Sequence, residues 1–208
     1  MKGVKEVRAF IAVEFVPALR RQLHLLQQNL KESRADVKWV EAENLHLTLH
    51  FLGEVEEGLI LRVRNCMEKT GEEFSPFTIS LAGTGTFPGP ERPRVLWVGL
   101  ANGSKLLAQL RQRLGDYLEE IGVSLDRRPF SPHITLGRVR SPLNADRLTA
   151  KMRAYAKDTW GSQEVTRLSL FESRLSREGP QYQRLTWVKL GSKSAGTLTD
   201  SGKENIMD

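Results

Sequence analysis

The 208-residue chain predicts an α+β fold of two related lobes, each an antiparallel-rich sheet flanked by helices, around a central cleft. Three observations predict it. Strand-like and helix-like segments mix along the chain in the order β-α-β-α-β-β-α-β-α-β-β. One tetrapeptide pattern occurs twice, as His46-Leu47-Thr48-Leu49 and His133-Ile134-Thr135-Leu136. Each copy lies in a strand-like run at a similar place in its half, near strands and helices of similar size. The two motif strands are expected to face each other across the cleft. The domain runs over 1–190, and 191–208, rich in Ser, Gly, Thr and Lys, buries too little to order itself and reads as a disordered tail.

The elements follow in order. Residues 8–16 are β-branched and aromatic enough for a strand, and Pro17 suits the first turn of a helix. Leu19, Leu23, Leu26 and Leu30 then recur at spacings of one helical face. A short strand or turn at 37–40 leads to the first motif strand, 45–52, closed by Gly53. Residues 56–69 read as a helix with Leu59, Ile60, Val63 and Met67 inward, and Gly71 as its stop. Residues 77–81 alternate as a strand. The run Gly83-Thr84-Gly85-Thr86-Phe87-Pro88-Gly89-Pro90 reads as a turn-rich loop, not a dinucleotide fingerprint, because its third glycine is misplaced and no helix follows. A strand at 94–100 contains Trp97, expected in the core. Ser104 is placed as the cap of a helix whose apolar face is Leu106, Leu107, Leu110, Leu114, Leu118 and Ile121.

Gly122 ends that helix. A basic lead-in, Asp126-Arg127-Arg128-Pro129-Phe130-Ser131-Pro132, precedes the second motif strand, 133–139. Asn144 is read as the cap of a helix with Leu148, Met152 and Tyr155 inward. Strands at 165–175 and 182–190, joined by a turn at Glu178-Gly179-Pro180, complete the fold.

Composition narrows the classes of function. Hydrophobic content of 39% and charged content of 27% are those of a soluble globular protein. The net charge of +6 suits a polyanionic partner, or simply a solvated basic surface. Cys66 is the single cysteine, so no intramolecular disulfide and no Cys/His zinc pattern forms. Its helical spacing reads as a buried core thiol. The opening residues carry charge and no apolar run, unlike a secretory signal, and no run approaches the roughly 20 residues of a membrane span. The expected compartment is reducing and cytoplasmic, with no membrane partner.

The repeated tetrapeptides carry the chemistry. In a strand, residues two apart share a face. His46 and Thr48 therefore point one way, and Leu47 and Leu49 the other; His133 and Thr135 are related to Ile134 and Leu136 in the same manner. If the strands lie side by side or across a cleft, two imidazoles and two hydroxyls converge. That set suits a phosphodiester: one His takes a proton from the attacking oxygen, the other protonates the leaving oxygen, and both Thr hydroxyls hold phosphate oxygens. Either His taken singly reads as a packing residue, and either Thr as a good strand former; the doubled pattern points to a site. His46, His50 and His133 do not read as a zinc site, because no Asp or Glu is paired with the motifs.

At these residues the chain resembles the 2H phosphoesterase superfamily, and within it the RNA 2′,3′-cyclic phosphodiesterase (2′-5′ RNA ligase) family. The resemblance includes Arg8-Ala9-Phe10-Ile11-Ala12-Val13, Asn44–Gly53 around the first motif, Arg94-Val95-Leu96-Trp97, Arg128–Arg138 around the second, and Phe171-Glu172-Ser173. It implies a bilobal fold, no metal and no organic cofactor. It also implies opening of RNA 2′,3′-cyclic phosphate ends, tRNA fragments among them, to 2′-phosphomonoesters, with 2′-5′ joining as the reverse chemistry. His133 is assigned as general base and His46 as general acid, although a symmetric site makes the roles easy to exchange. Phe51 and Arg138, each five residues after a motif His, are positions that can sandwich a base in the family. Strand parity opposes this and demands a bulge or a strand end. His50 has the parity of the cleft face, but the family does not require His there, and a partner role or plain solvent exposure stands equally beside a place in the cleft. A monomer is expected. Two other readings stand beside the enzyme: an RNA- or nucleotide-binding module with little turnover, and a phosphodiesterase for small cyclic nucleotides or 2′-5′ oligonucleotides.

Overall fold

The computed structural model describes residues 6–175 and 180–191. The expected tail, apart from Gly191, lies outside the described residues, as does the turn at Glu178-Gly179. Nine strands are present among the described residues: β1 (Glu6–Glu14), β2 (Val37–Trp39), β3 (His46–Glu56), β4 (Phe77–Phe87), β5 (Val95–Asn102), β6 (Ile134–Val139), β7 (Thr159–Val165), β8 (Arg167–Leu175) and β9 (Pro180–Lys189). Four helices accompany them: α1 (Pro17–Lys31), α2 (Ile60–Glu73), α3 (Ser104–Glu120) and α4 (Ala145–Ala154). No helix among the described residues is long and apolar enough to cross a membrane.

These strands pair antiparallel, in the order β7-β4-β5-β6-β3-β1-β8-β9, with β2 also on β6. The sheet divides into two halves joined at a single residue pair, Leu47 with Ile134. The two motif strands are thus neighbours at the seam of the lobes, not partners facing across the cleft. Helices are exchanged between the halves. α1 follows β1 but packs on β7, and α3 follows β5 but packs on β3, while α2 lies on β8 and β9 and α4 on β4. Leu19, Leu23, Leu26 and Leu30 are buried along α1, as their spacing predicts. Each exchanged helix buries its stripe against the half it did not come from, so the lobes share one core.

Several expectations change. The run at Gly83–Phe87 is not a loop; it is the far end of β4, with Thr84, Gly85, Thr86 and Phe87 paired to Val98, Trp97, Leu96 and Val95. Gly85 is there because the Trp97 ring lies across it: a Cβ would stand 2.2 Å from that ring. Trp97 is consequently half-buried beside Phe87, at 5.3 Å between ring centroids, not in the core. The sequence pattern does not predict β7; its residues, Thr-Trp-Gly-Ser-Gln-Glu-Val, have little apolar alternation because it is an edge strand. Gly71 does not stop α2. The helix passes through it, and a Cβ there would lie 2.5 Å from the Lys189 carbonyl oxygen, so the glycine serves close packing of α2 on β9. The first motif strand continues to Glu56, displacing the start of α2. Ser104 is already helical, with Gly103 at the cap, and Leu106 is exposed on the solvent side. Asn144 precedes α4 at φ 54° and directs its amide to the Arg34 carbonyl at 2.8 Å instead of capping the helix. Cys66 is buried and donates to the Tyr117 carbonyl, and desolvation pushes its thiol pKa up, consistent with a packing role.

Candidate active site

β3 and β6 carry the tetrapeptides, and their period of two sorts the side chains as expected. Leu47, Leu49, Ile134 and Leu136 are buried. His46, Thr48, His133 and Thr135 all line one open cavity of about 1120 Å³. The seam pair explains the convergence. With Leu47 opposite Ile134 in an antiparallel register, the same register sets His46 opposite Thr135 and Thr48 opposite His133. The second positions of the motifs form the hinge of a pseudo-twofold, and both His-x-Thr pairs line the same cavity.

Both rings are held alike. His46 Nδ1 donates to the Asn44 carbonyl at 2.7 Å, and His133 Nδ1 donates to the Ser131 carbonyl at 2.8 Å. In each case the carbonyl belongs to the residue two positions earlier, and it fixes the Nδ1–H tautomer, leaving Nε2 for the cleft. His46 Nε2 accepts from the Thr48 hydroxyl at 3.0 Å. The surroundings differ. His46 lies between Phe10, at 4.8 Å, and the edge of Tyr182, at 5.3 Å. His133 meets Phe87 edge-on at 5.0 Å. Burial lowers the His46 pKa, chiefly by desolvation; its bond to Asn44 opposes this and the nearby charge of His133 adds to it. Glu14, the strand partner of His46, is engaged by Ser169, Arg167 and Arg184.

Phe51 and Arg138 also line the cavity. The parity objection is removed by bulges. Between β1 and β3 the register passes from Ala12–Thr48 to Ile11–His50, leaving Leu49 as an extra residue. Between β5 and β6 it passes from Trp97–Thr135 to Leu96–Gly137, leaving Leu136 as the extra residue. Each bulge inverts the facing of the strand residues beyond it. Phe51 therefore stands on the cavity face, 61% exposed, with Phe10 behind it at 6.1 Å. The same inversion overturns the reading of His50. It is buried, its Nε2 donates to the Arg111 carbonyl at 2.8 Å, and Gly115 of α3 leaves room for its ring. Desolvation lowers its pKa.

The sequence reading misses the rest of the rim. Lys38 and Trp39 of β2, with Arg8, Lys31 and Arg140, line the cavity beside Arg138. Tyr182, whose phenol is raised in pKa by burial, closes the His46 side. These five cations outnumber the two carboxylates of the same lining, Glu41 and Glu43, and make the cavity a place for an anion. The net charge hints at such a surface, but only the tertiary fold gathers it: β2 sets Lys38 beside Arg138, while Arg8 comes from β1 and Lys31 from the end of α1. Among the described residues, no three His, Cys, Asp or Glu side chains group as a metal site.

Comparison with known proteins agrees with the fold and its two related halves. The model of the LigT-like phosphoesterase family matches twice in succession, over residues 13–97 and 98–182, so each half of the chain is one copy. The chain is 38% identical over 185 residues to the RNA 2′,3′-cyclic phosphodiesterase of Methanothermobacter thermautotrophicus, covering 89% of this chain and all of the relative. It is 30% identical over 189 residues to the protein of the same name from Aquifex aeolicus, covering 90% and 100%. Among solved structures, a Thermus thermophilus protein superposes with a TM-score of 0.76 at 28% identity, and E. coli LigT bound to 3′-AMP with 0.68 at 27%; each match covers 90% of this chain and 100% of the other. On fold, internal duplication and sequence together, the chain belongs to the LigT-like phosphoesterase family of 2H phosphoesterases.

Proposed function

We propose that this protein opens 2′,3′-cyclic phosphates at RNA ends and leaves 2′-phosphomonoesters, using His46 and His133 as a proton-transfer pair with no metal or organic cofactor. The observation that carries the reading is the convergence of two equivalently tethered imidazoles and two hydroxyls on one cation-rimmed cavity. Water attacks phosphorus, the P–O3′ bond breaks, and O3′ leaves with a proton. One imidazole removes the proton of the water and the other supplies the proton to O3′, each transfer giving roughly 10²–10⁴ in rate. Thr48 and Thr135 hydrogen-bond the non-bridging oxygens. Phe51 stacks on the terminal base and Arg138 stacks or pairs with phosphate. Joining RNA ends through a 2′-5′ linkage uses the same pair, with a 5′-hydroxyl attacking phosphorus in place of water and O3′ leaving with a proton. On this reading the acting form is a monomer, and its substrates include RNA ends such as those of cleaved tRNA.

The sequence reading makes His133 the base and His46 the acid. The lowered pKa of His46 favours the reverse distribution, in which His46 starts neutral and takes the proton. A cyclic phosphate bearing sulfur in place of O3′ distinguishes them. The variant lacking the acid is rescued on that substrate, because a thiolate leaves without a proton, and the variant lacking the base is not.

The founding test incubates wild type and His46→Ala with a cyclic-phosphate-ended oligonucleotide in EDTA and identifies the product end. A 2′-phosphate made by wild type alone supports the reading. Tight binding without product would replace it with an RNA-binding module.

A further inference from the structure

Two side chains outside the cavity repeat one arrangement across the pseudo-twofold. Gln27, on α1, is buried and sends Nε2 to two carbonyls: Leu136, at 2.9 Å, and Val40, at 2.7 Å. Arg111, on α3, sends Nε to the Leu49 carbonyl at 3.0 Å and Nη2 to the Asp126 carbonyl at 3.4 Å, with its guanidinium 4.7 Å from the Phe130 ring. Leu136 and Leu49 are the bulged residues of the second and first motif strands. A bulged residue stands outside the regular ladder, and a buried carbonyl there needs a donor from elsewhere. For Leu49 it is Arg111 of α3; the Leu136 carbonyl accepts from the Val40 N–H at 2.9 Å, and Gln27 of α1 adds a second donor to it.

The other ends of the two bridges are equally matched. Val40 lies in the lead-in to the first motif, just before the segment whose Asn44 carbonyl holds His46. Asp126 and Phe130 lie in the lead-in to the second, just before the Ser131 carbonyl that holds His133. Each bridge thus ties the segment that orients one histidine to the strand that carries the other. Arg Nε and Gln Nε2 are the same number of bonds from the backbone, so the two donors have equal reach.

We propose that Gln27 and Arg111 are reciprocal positioning residues, which hold the two motif bulges and thereby set the spacing of His46 and His133. The proposal rests on the proton-transfer reading of that pair. Neither residue lines the cavity, so loss of a bridge is expressed in the alignment of the reacting groups and not in the contacts that bind RNA.

The test compares wild type with Gln27→Met, Arg111→Met and Arg111→Gln. Turnover of a cyclic-phosphate oligonucleotide is measured per folded molecule, well below each melting temperature. In both Met variants kcat falls roughly 10- to 100-fold while KM stays within about threefold. Arg111→Gln, which restores an N–H at the depth of Nε, recovers most of the loss. NMR of ¹³C-labelled imidazoles reads the site whether or not that oligonucleotide is turned over. Gln27→Met shifts or broadens the His46 resonances as well as those of His133, and Arg111→Met does the same, while Arg111→Gln restores them. Wild-type kcat in the Met variants, an Arg111→Gln protein as slow as Arg111→Met, or undisturbed imidazoles in the Met variants would each overturn the proposal. Absence of wild-type turnover would count against the RNA reading, and the imidazole spectra would still decide the positioning role.

Discussion

His46 lies between the rings of Phe10 and Tyr182, whereas His133 meets the edge of Phe87. Four residues beyond them, His50 is buried under α3 while Gly137 accommodates β2, a Cβ there standing 2.7 Å from a Val37 methyl. Five residues beyond, one half presents the ring of Phe51 and the other the guanidinium of Arg138. The backbone plan is the same in both halves: a tethered Nδ1, a same-face threonine, a bulge at the fourth motif residue and a helix side chain on its carbonyl. The difference teaches that the two halves share the elements that place the histidines and threonines and differ at the periphery. One rim is aromatic and suits a base; the other is cationic and suits a phosphate.

The strongest way to break the comparison is to remove one imidazole at a time. His46→Ala and His133→Ala each lose about 10²–10⁴ in single-turnover rate on a cyclic-phosphate oligonucleotide. Full activity in either would mean that the halves are not a pair. A smaller effect sharpens it. Thr48→Val costs more than Thr135→Val, because Thr48 also bonds His46. Loss of one charge-assisted hydrogen bond to phosphate is worth about 1.5–3 kcal/mol, or roughly 10- to 150-fold in kcat/KM.

The +5 positions separate by their response to salt. Phe51→Ala weakens RNA binding by about 1–3 kcal/mol, the value of a base–aromatic stack, with an unchanged salt slope. Arg138→Ala lowers the slope of log Kd against log salt by about one contact. Equal salt behaviour in both would erase the distinction between an aromatic and a cationic rim.

The smallest effect concerns stability. Desolvation holds His50 below the ordinary histidine pKa, as it does His46. For a histidine lowered on folding, the unfolded chain binds more protons below about 6.5. Its contribution is complete above that pH and is lost as pH falls towards the folded pKa, at a slope of at most about 1.4 kcal/mol per pH unit for each group. His50→Gln should therefore flatten the acid side of a melting-temperature profile between about pH 7 and 5. An unchanged acid slope would mean that burial of His50 does not contribute.

Much of this is legible in the chain because it is local. A period of two dictates that His46 shares a face with Thr48, and the α1 leucines dictate a buried stripe. Counting further along the same strand fails at His50, because a bulge cannot be seen in Leu49 or Leu136: it is a mismatch with the neighbouring strand. Gly83 and Gly85 read as turn residues although the space that Gly85 provides is for Trp97, a contact that exists only after β4 meets β5. Arg8, Lys31, Lys38 and Arg140 are unremarkable alone, and become a rim only when β1, the end of α1, β2 and the end of β6 meet around one cavity.

The sequence by itself determined the α+β class, the doubled His-x-Thr pattern and which two residues of each motif face away from the core. Those follow from side-chain size, polarity and strand period. The tertiary structure alone decided that the motif strands lie side by side, that Phe51 and Arg138 line the cavity while His50 is buried away from it, and that Gln27 and Arg111 reach across to the carbonyls of the bulges. The physical reason is the same for all three: each depends on hydrogen bonds between segments far apart in the chain, and the partner of a backbone carbonyl is not written in the residue that carries it.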